Sequence, residues 1–261
     1  SPPASPPAAA PLPRGRTFVL IVGINDYADV RLTDLRFAEA DARAVYRFYA
    51  QDTRSPADRD RVRVIIGAAA TRRGVLQAIR DHLVRKATRP ADTAVLFFAG
   101  HGLRDGRGSY LACQDTDPSG LSFSGISVAR LQEDWSKLGA QRRVLITDAC
   151  HSGALKGLRG FGGIVSGAPK RGSAQSLVLA AAAANQLSTE DARAGQGVFT
   201  GALLQGLRGQ ADANRDGAVT AQELKSYLET EVPSRAQELG GSQTPVVELG
   251  DAGQMRLSSP R

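Results

Sequence analysis

A thiol and an imidazole each stand at the end of an apolar run, a placement that could turn them into a nucleophile and its base. Cys150 lies in Asp148-Ala149-Cys150-His151-Ser152-Gly153, directly after the stretch Arg143-Val144-Leu145-Ile146-Thr147. His101 lies in Gly100-His101-Gly102, directly after Ala94-Val95-Leu96-Phe97-Phe98-Ala99 and 49 residues upstream of Cys150. If both runs are strands of one parallel sheet, their carboxyl ends open onto a shared crevice where distant residues meet. A nearby imidazolium lowers a thiol pKa from about 8.5 and so raises the thiolate fraction at neutral pH. The backbone N–H groups of Gly102 and Cys150 are the natural oxyanion donors, since a glycine at 102 lacks the Cβ that would obstruct a substrate carbonyl. The pair reads as a cysteine hydrolase in which Cys150 attacks and His101 transfers protons.

Asp148 precedes Cys150 by two residues, so the period of a strand sends both side chains to the same side, into the crevice. A carboxylate held there unpaired would cost several kcal/mol, and a substrate Arg or Lys could supply the missing partner. His151, one residue from Cys150, faces the other way and reads as structural. His82 lies beside the apolar stripe of an exposed helix and is not a catalytic candidate either. Cys113 follows Tyr110-Leu111-Ala112 in a further strand and reads as a buried, inert thiol.

A second site is written in Asp212-Ala213-Asn214-Arg215-Asp216-Gly217-Ala218-Val219-Thr220-Ala221-Gln222-Glu223, which matches the EF-hand calcium-loop template at every anchoring position. The oxygen ligands for Ca2+ would be the side chains of Asp212, Asn214 and Asp216, the carbonyl of Ala218, Thr220 directly or through water, and both oxygens of Glu223. Gly217 makes the sharp turn. Helical segments at Val198 to Leu207 and Ala221 to Val232 flank the loop as an EF-hand requires.

The elements that must carry these groups alternate along the chain. Phe18-Val19-Leu20-Ile21-Val22 reads as a strand buried on both faces, and Asp34 reads as the N-cap of a helix bearing Leu35, Ala38, Ala42, Val45 and Tyr49. Val62 to Ile66 follows as a strand. Thr71 caps a helix with the stripe Val75, Leu76, Ile79 and Leu83. Strands at Thr93 to Ala99, Tyr110 to Cys113, Arg143 to Thr147 and Leu177 to Ala181, and a helix near Ser127 to Leu138, continue the alternation. This pattern predicts an α/β fold, a mostly parallel central sheet with helices on both faces.

With 261 residues, 42% of them hydrophobic, the chain can bury one sizeable core. The expected organisation is a Pro/Ala-rich linker over residues 1–16, a catalytic domain over 17–250 and a C-terminal tail over 251–261. Six of the 13 prolines fall within residues 1–13, a segment with no charge and no apolar period. The chain does not begin with Met, which fits a piece of a longer protein or a mature form. It carries no signal-peptide pattern and no run of roughly 18 apolar residues, so a cytoplasmic protein with no membrane partner is expected. Its two cysteines exclude a disulfide framework and suit a reducing compartment. The net charge of +7 is scattered, without the aromatic-interleaved basic stripe of a nucleic-acid binder. Residues 154–176, rich in glycine and bearing Lys156, Arg159, Lys170 and Arg171, read as a mobile surface loop.

The two blocks, His101-Gly102 after one strand and Asp148-Ala149-Cys150-His151-Ser152-Gly153 after a later one, resemble the caspase and metacaspase group of cysteine peptidases, particularly bacterial caspase-like proteins, from about Thr17 to Leu249. Caspases carry Gln-Ala-Cys with the histidine about 50 residues upstream. Here the spacing is kept and Asp148 replaces the glutamine, which points toward metacaspases and away from cleavage after aspartate. The resemblance implies a caspase-like three-layer sandwich and an endopeptidase that cleaves protein or peptide substrates after Arg or Lys. It implies that Asp148 and Asp41, the latter from the pattern Leu35 to Ala42, together select that cation, although Phe37 and Ala38 replace residues usual in the family. It also implies that residues 154–176 link a large and a small portion of the domain. Cleavage there after a basic residue, by the enzyme itself or by an upstream activating protease or sensor, would be the maturation step. The alternative is a catalytically inactive caspase-like binding or regulatory module.

Overall fold

The computed structural model describes residues 15–150, 174–182 and 188–259, and at residue 150 the backbone alone. The linker up to residue 14, His151 and the four basic residues of the Gly-rich loop lie outside the described residues.

From the N-terminus the chain forms β1 (Thr17–Gly23), α1 (Ala38–Gln51), β2 (Val62–Ile66), α2 (Arg72–Ala78) and β3 (Thr93–Asp105). It continues through β4 (Gly108–Leu111), α3 (Leu121–Ser124), β5 (Ile126–Ser127), α4 (Val128–Ser136), β6 (Arg142–Cys150) and β7 (Gln175–Ala180). The last third holds β8 (Glu190–Asp191), β9 (Gln196–Gly197), α5 (Val198–Gln205), β10 (Val219–Thr220), α6 (Ala221–Glu238), β11 (Val246–Glu248) and β12 (Arg256–Ser258). The main sheet runs in the order β11-β7-β6-β3-β1-β2, and β11 alone in that order is antiparallel to its neighbour.

All seven residues of β1 are buried, because helices cover both faces of a parallel sheet. Leu20, Val22, Leu96, Phe98 and Leu145 pack on one face against Val75, Ile79, Leu131 and Trp135 of the α2 and α4 side. The alternate residues Val19, Ile21, Val95, Phe97, Val144 and Ile146 pack on the other face against Val45, Phe48, Leu203 and Leu228 of α1, α5 and α6. The result is the expected three-layer α/β arrangement. Among the described residues no helix is long and apolar enough to cross a membrane.

Capping follows the sequence at some ends and departs from it at others. Thr71 caps α2 by accepting from Gly74 N–H, and Ser127 caps α4 by accepting from Arg130 N–H. Asp34, expected to cap α1, instead accepts from Tyr27 N–H, and the helix begins four residues later at Ala38. Asn25 supplies the side-chain oxygen there, accepting from Glu39 N–H, so the strand-to-helix loop caps the helix across 14 residues. Leu35 consequently lies outside the helix whose stripe it was expected to join.

Three further expectations need correction. The strands β3 and β6 extend through His101 and Cys150, because ladder pairing with neighbours continues past the apolar residues. His82 is buried rather than beside an exposed surface: Nε2 lies 3.1 Å from the Val19 carbonyl and 2.9 Å from that of Arg61, and burial holds its pKa below the ordinary histidine value. Residues 251–259, read as a tail, include β12, which pairs with β10, and bury Ala252, Met255 and Leu257.

Candidate active site

The register of β3 and β6 sets His101 directly opposite Cys150 at the carboxyl ends of two neighbouring strands. His101 is buried, stacked on the Tyr27 ring with centroids 4.9 Å apart, and its backbone N–H donates to the Tyr27 hydroxyl at 2.8 Å. Its Nε2 lies 2.6 Å from the Thr33 carbonyl. A carbonyl only accepts, so Nε2 carries the proton and Nδ1 is the basic nitrogen in the neutral ring. Neither Tyr27 nor Thr33 was legible as a partner of His101, since a ring stack and a main-chain carbonyl leave no motif.

Gly102 stands opposite Leu111 in the β3–β4 hairpin, and the adjacent ladder bond runs from Ala112 N–H to the His101 carbonyl. In an antiparallel ladder that bond makes Gly102–Leu111 a non-hydrogen-bonded pair, so the Gly102 N–H points away from β4. The His101 N–H points toward Tyr27, on the β1 side, and the next residue along a strand directs its N–H to the opposite side, here that of β6.

Asp148 and Asp41 meet at the same end of the sheet although 107 positions separate them in the chain. Asp148 is buried near the start of α5 and accepts from the Thr200 hydroxyl at 2.7 Å. Asp41, buried on α1, accepts from Gly197 N–H through both oxygens, at 3.0 and 3.2 Å. Leu35, Ala38, Ser188 and Glu190 close a cleft around them of about 20 Å³, room for about one water. A Cβ at Gly197 would lie 2.9 Å from an oxygen of each aspartate, so only glycine fits between them without displacing a carboxylate. Gly197, Thr200 and Glu190 went unrecognised because a glycine in Gln196-Gly197 and a threonine one turn into a helix are unremarkable as sequence.

Burial, and then the charge of Asp148, push the Asp41 carboxyl up to about 9 against the Gly197 N–H; Glu190 adds to the rise. Burial likewise raises Asp148, opposed by the hydrogen bond from the Thr200 hydroxyl. The two acids in this cleft therefore resist ionising together, and a cation entering it would release a proton. An acid whose folded pKa exceeds its unfolded value of 3.8 binds a proton on folding, so its stabilisation is complete below that value and is lost as pH rises through about 9. Urea unfolding of Asp41→Asn should therefore show a stability gain over wild type that grows from pH 5 to pH 9. A gain that shrinks with pH would contradict this assignment.

Cys113 is fully buried and burial raises its thiol pKa, as expected of an inert residue.

The loop of residues 212–223 has the turn its sequence demands, with left-handed φ of 58° at Arg215 and 81° at Gly217. Asp212 accepts from the N–H groups of Asp216 and Gly217, Asn214 from Asp216 N–H, and Asp216 from Ala218 N–H. Glu223 accepts from the Thr220 N–H and hydroxyl, completing a capping box with α6. The donor set is all oxygen, as a hard cation requires. The acidic side chains, however, are spent on the loop's own amides, and among the described residues no three His, Cys, Asp or Glu side chains are grouped to hold a metal. The place of a second hand is taken by β12: Val219 pairs with Ser258, and the Ala221 N–H donates to the Met255 carbonyl.

A family model described as the caspase domain, of peptidase family C14, matches residues 16–251. No curated protein matches the chain. Caspase-1 from Spodoptera frugiperda superposes with a TM-score of 0.63 at 13% identity, covering 94% of this chain and 90% of the insect protein. A protein of Geobacter sulfurreducens superposes with a TM-score of 0.61 at 19% identity, covering 89% of this chain and 92% of that one. At these identities the superpositions speak for the fold.

Proposed function

Because this chain belongs to the caspase-domain peptidase family, we propose that it is a cysteine endopeptidase cleaving protein or peptide substrates after Arg or Lys. The observation that carries the reading is the register pair His101 and Cys150, with two buried aspartates at the same sheet end. The Cys150 thiolate attacks the scissile carbonyl carbon, and the oxyanion accepts from the Gly102 and Cys150 N–H groups. The His101 imidazolium gives its Nδ1 proton to the leaving amine as the C–N bond breaks. Water, deprotonated by the same nitrogen, then releases the acid from the thioester and regenerates the thiol. Thr33 and Tyr27 hold the ring while it cycles between its two charge states. Asp148 and Asp41 attract the guanidinium or ammonium of the residue before the cut, and the cleft between them, with room for about one water, widens to admit it.

The deciding experiment is hydrolysis of matched reporter peptides ending in Arg, Lys or Asp, with intact mass followed in parallel. Turnover of the Arg and Lys peptides is expected, and any self-processing would show as cuts at Lys156, Arg159, Lys170 or Arg171. Turnover of the Asp peptide alone would overturn the assignment of Asp148, and inertness toward all three after proteolytic nicking would favour the inactive binding module.

We further propose that the loop of residues 212–223 takes Ca2+, through Asp212, Asn214, Asp216, the Ala218 carbonyl, Thr220 and Glu223. Bound there, the ion would supply charge neutralisation to a loop whose carboxylates otherwise face its own amides. Millimolar calcium should raise Tm by several degrees, and Glu223→Gln should weaken calorimetric binding by at least tenfold, since it removes the bidentate ligand. A Tm response surviving Glu223→Gln would place the ion elsewhere.

A further inference from the structure

At the other end of the sheet from His101 a cavity of about 300 Å³ is bounded by the first residues of four strands, Thr17, Thr93, Arg142 and Gln175. Eight residues of β3 separate Thr93 from His101, about 26 Å at ~3.3 Å per residue. Tyr49 of α1 and the segment Gln254 to Leu257 close the remaining side. The volume sits at the lower end of the range typical of small-ligand sites.

Two arginines, three hydroxyls and two carboxamides surround this space, and among the described residues no carboxylate lines it. Arg142 spends one N–H on the Ala91 carbonyl at 2.8 Å and has no acidic partner among the described residues, and burial lowers its pKa. Arg256 likewise forms no ion pair among the described residues, although most arginines nearby do: Arg16 and Arg89 hold Asp92, and Arg54 and Arg208 hold Asp52. Thr17 and Tyr49, only 5% and 4% exposed, line the same space and bring a hydroxyl each to it. An arginine fork that has no acidic partner beside a cavity keeps N–H donors available to an anion that enters it. Val95, Val144, Met255 and Leu257 supply apolar wall beside them.

We infer that this cavity binds a small phosphate-bearing molecule, its anionic head between Arg142 and Arg256 and its body against the apolar wall. Arginine forks match phosphate oxygens two at a time, and the Thr17 and Tyr49 hydroxyls supply further donors. The body must be compact, of about the size of a nucleoside monophosphate, to fit 300 Å³. The inference is independent of the peptidase reading, because none of its residues belongs to the crevice at His101.

The test is calorimetric and thermal titration of the full chain with inorganic phosphate, AMP, adenosine and citrate at matched ionic strength. AMP is expected to bind and raise Tm, inorganic phosphate to bind more weakly, and adenosine to do neither. Arg256→Gln, a half-buried residue whose loss breaks no ion pair, should lower AMP affinity at least tenfold, with Arg256→Lys recovering part of it; Arg142→Gln should do the same. Circular dichroism establishes that each variant is folded, and the Arg256 pair decides the matter if Arg142→Gln is not. Failure of both AMP and phosphate to bind overturns the inference, as does binding that Arg256→Gln leaves unchanged. Citrate binding in place of AMP would also overturn it, by making the head group a carboxylate.

Discussion

Cys150→Ala should lower kcat for an Arg-ended reporter peptide by about 10⁴-fold or more, and His101→Ala by a similar factor. The two residues are register partners at adjacent strand ends, and in the proposed reaction neither is useful without the other. The thiol is a weak nucleophile unless the imidazole takes its proton, and the imidazole has nothing to activate once the sulfur is gone. The double variant should accordingly be no slower than either single one, since effects within a catalytic unit do not add. Alkylation of Cys150 by iodoacetamide adds an independent readout. Its pH profile in the wild type should show a thiolate well below the free pKa of about 8.5, and His101→Ala should shift it upward. Retention of a tenth of the activity by either variant would remove that residue from the chemistry. The Thr33 carbonyl cannot be deleted by mutation, but its bond to Nε2 fixes the tautomer on which this coupling depends.

The second large effect is on specificity. Asp148→Asn keeps the shape of the side chain and its contact with Thr200 but removes the charge, so kcat/KM for Arg peptides should fall about 10²- to 10³-fold, the usual loss for one partner of a buried charged pair. Gly197→Ala should cost a comparable factor by a different route. Its Cβ would come within 2.9 Å of an oxygen of both Asp148 and Asp41, pushing the carboxylates apart and blocking a cleft that already holds only about one water. The iodoacetamide reaction with Cys150 distinguishes both variants from damage to the nucleophile, since neither should change it by more than about twofold if they act on substrate recognition alone. If Asp148→Asn cleaves Arg peptides within threefold of wild type, the acidic cleft does not read the residue before the cut.

Much of this architecture is legible in the chain because it is local. The strand at Val62 to Ile66 has the bounds its composition predicts, since a short β-branched run between turn residues has few alternatives. Thr71 caps α2 because the hydroxyl needs only a backbone three residues away. The unbroken apolar runs of β1, β3 and β6 announce a two-sided parallel sheet, and with it the crevice that His101 and Cys150 share.

What the chain conceals is whatever depends on a partner far away in sequence or on the main chain. Asp34 has the right chemistry for a cap, yet Asn25 wins the position because the loop after β1 brings it closer to the Glu39 N–H. His82 looks like a surface residue of its helix until two carbonyls from other segments bury it. Sequence alone nominated the nucleophile, the base and both aspartates, since their types and spacing carry the chemistry. Only the tertiary structure decided what holds them: Thr33 and Tyr27 on the imidazole, Gly197 between the carboxylates, and Thr200 on Asp148. A residue type announces what a side chain can do in any context, whereas the orientation and protonation that let it act come from neighbours that only folding supplies.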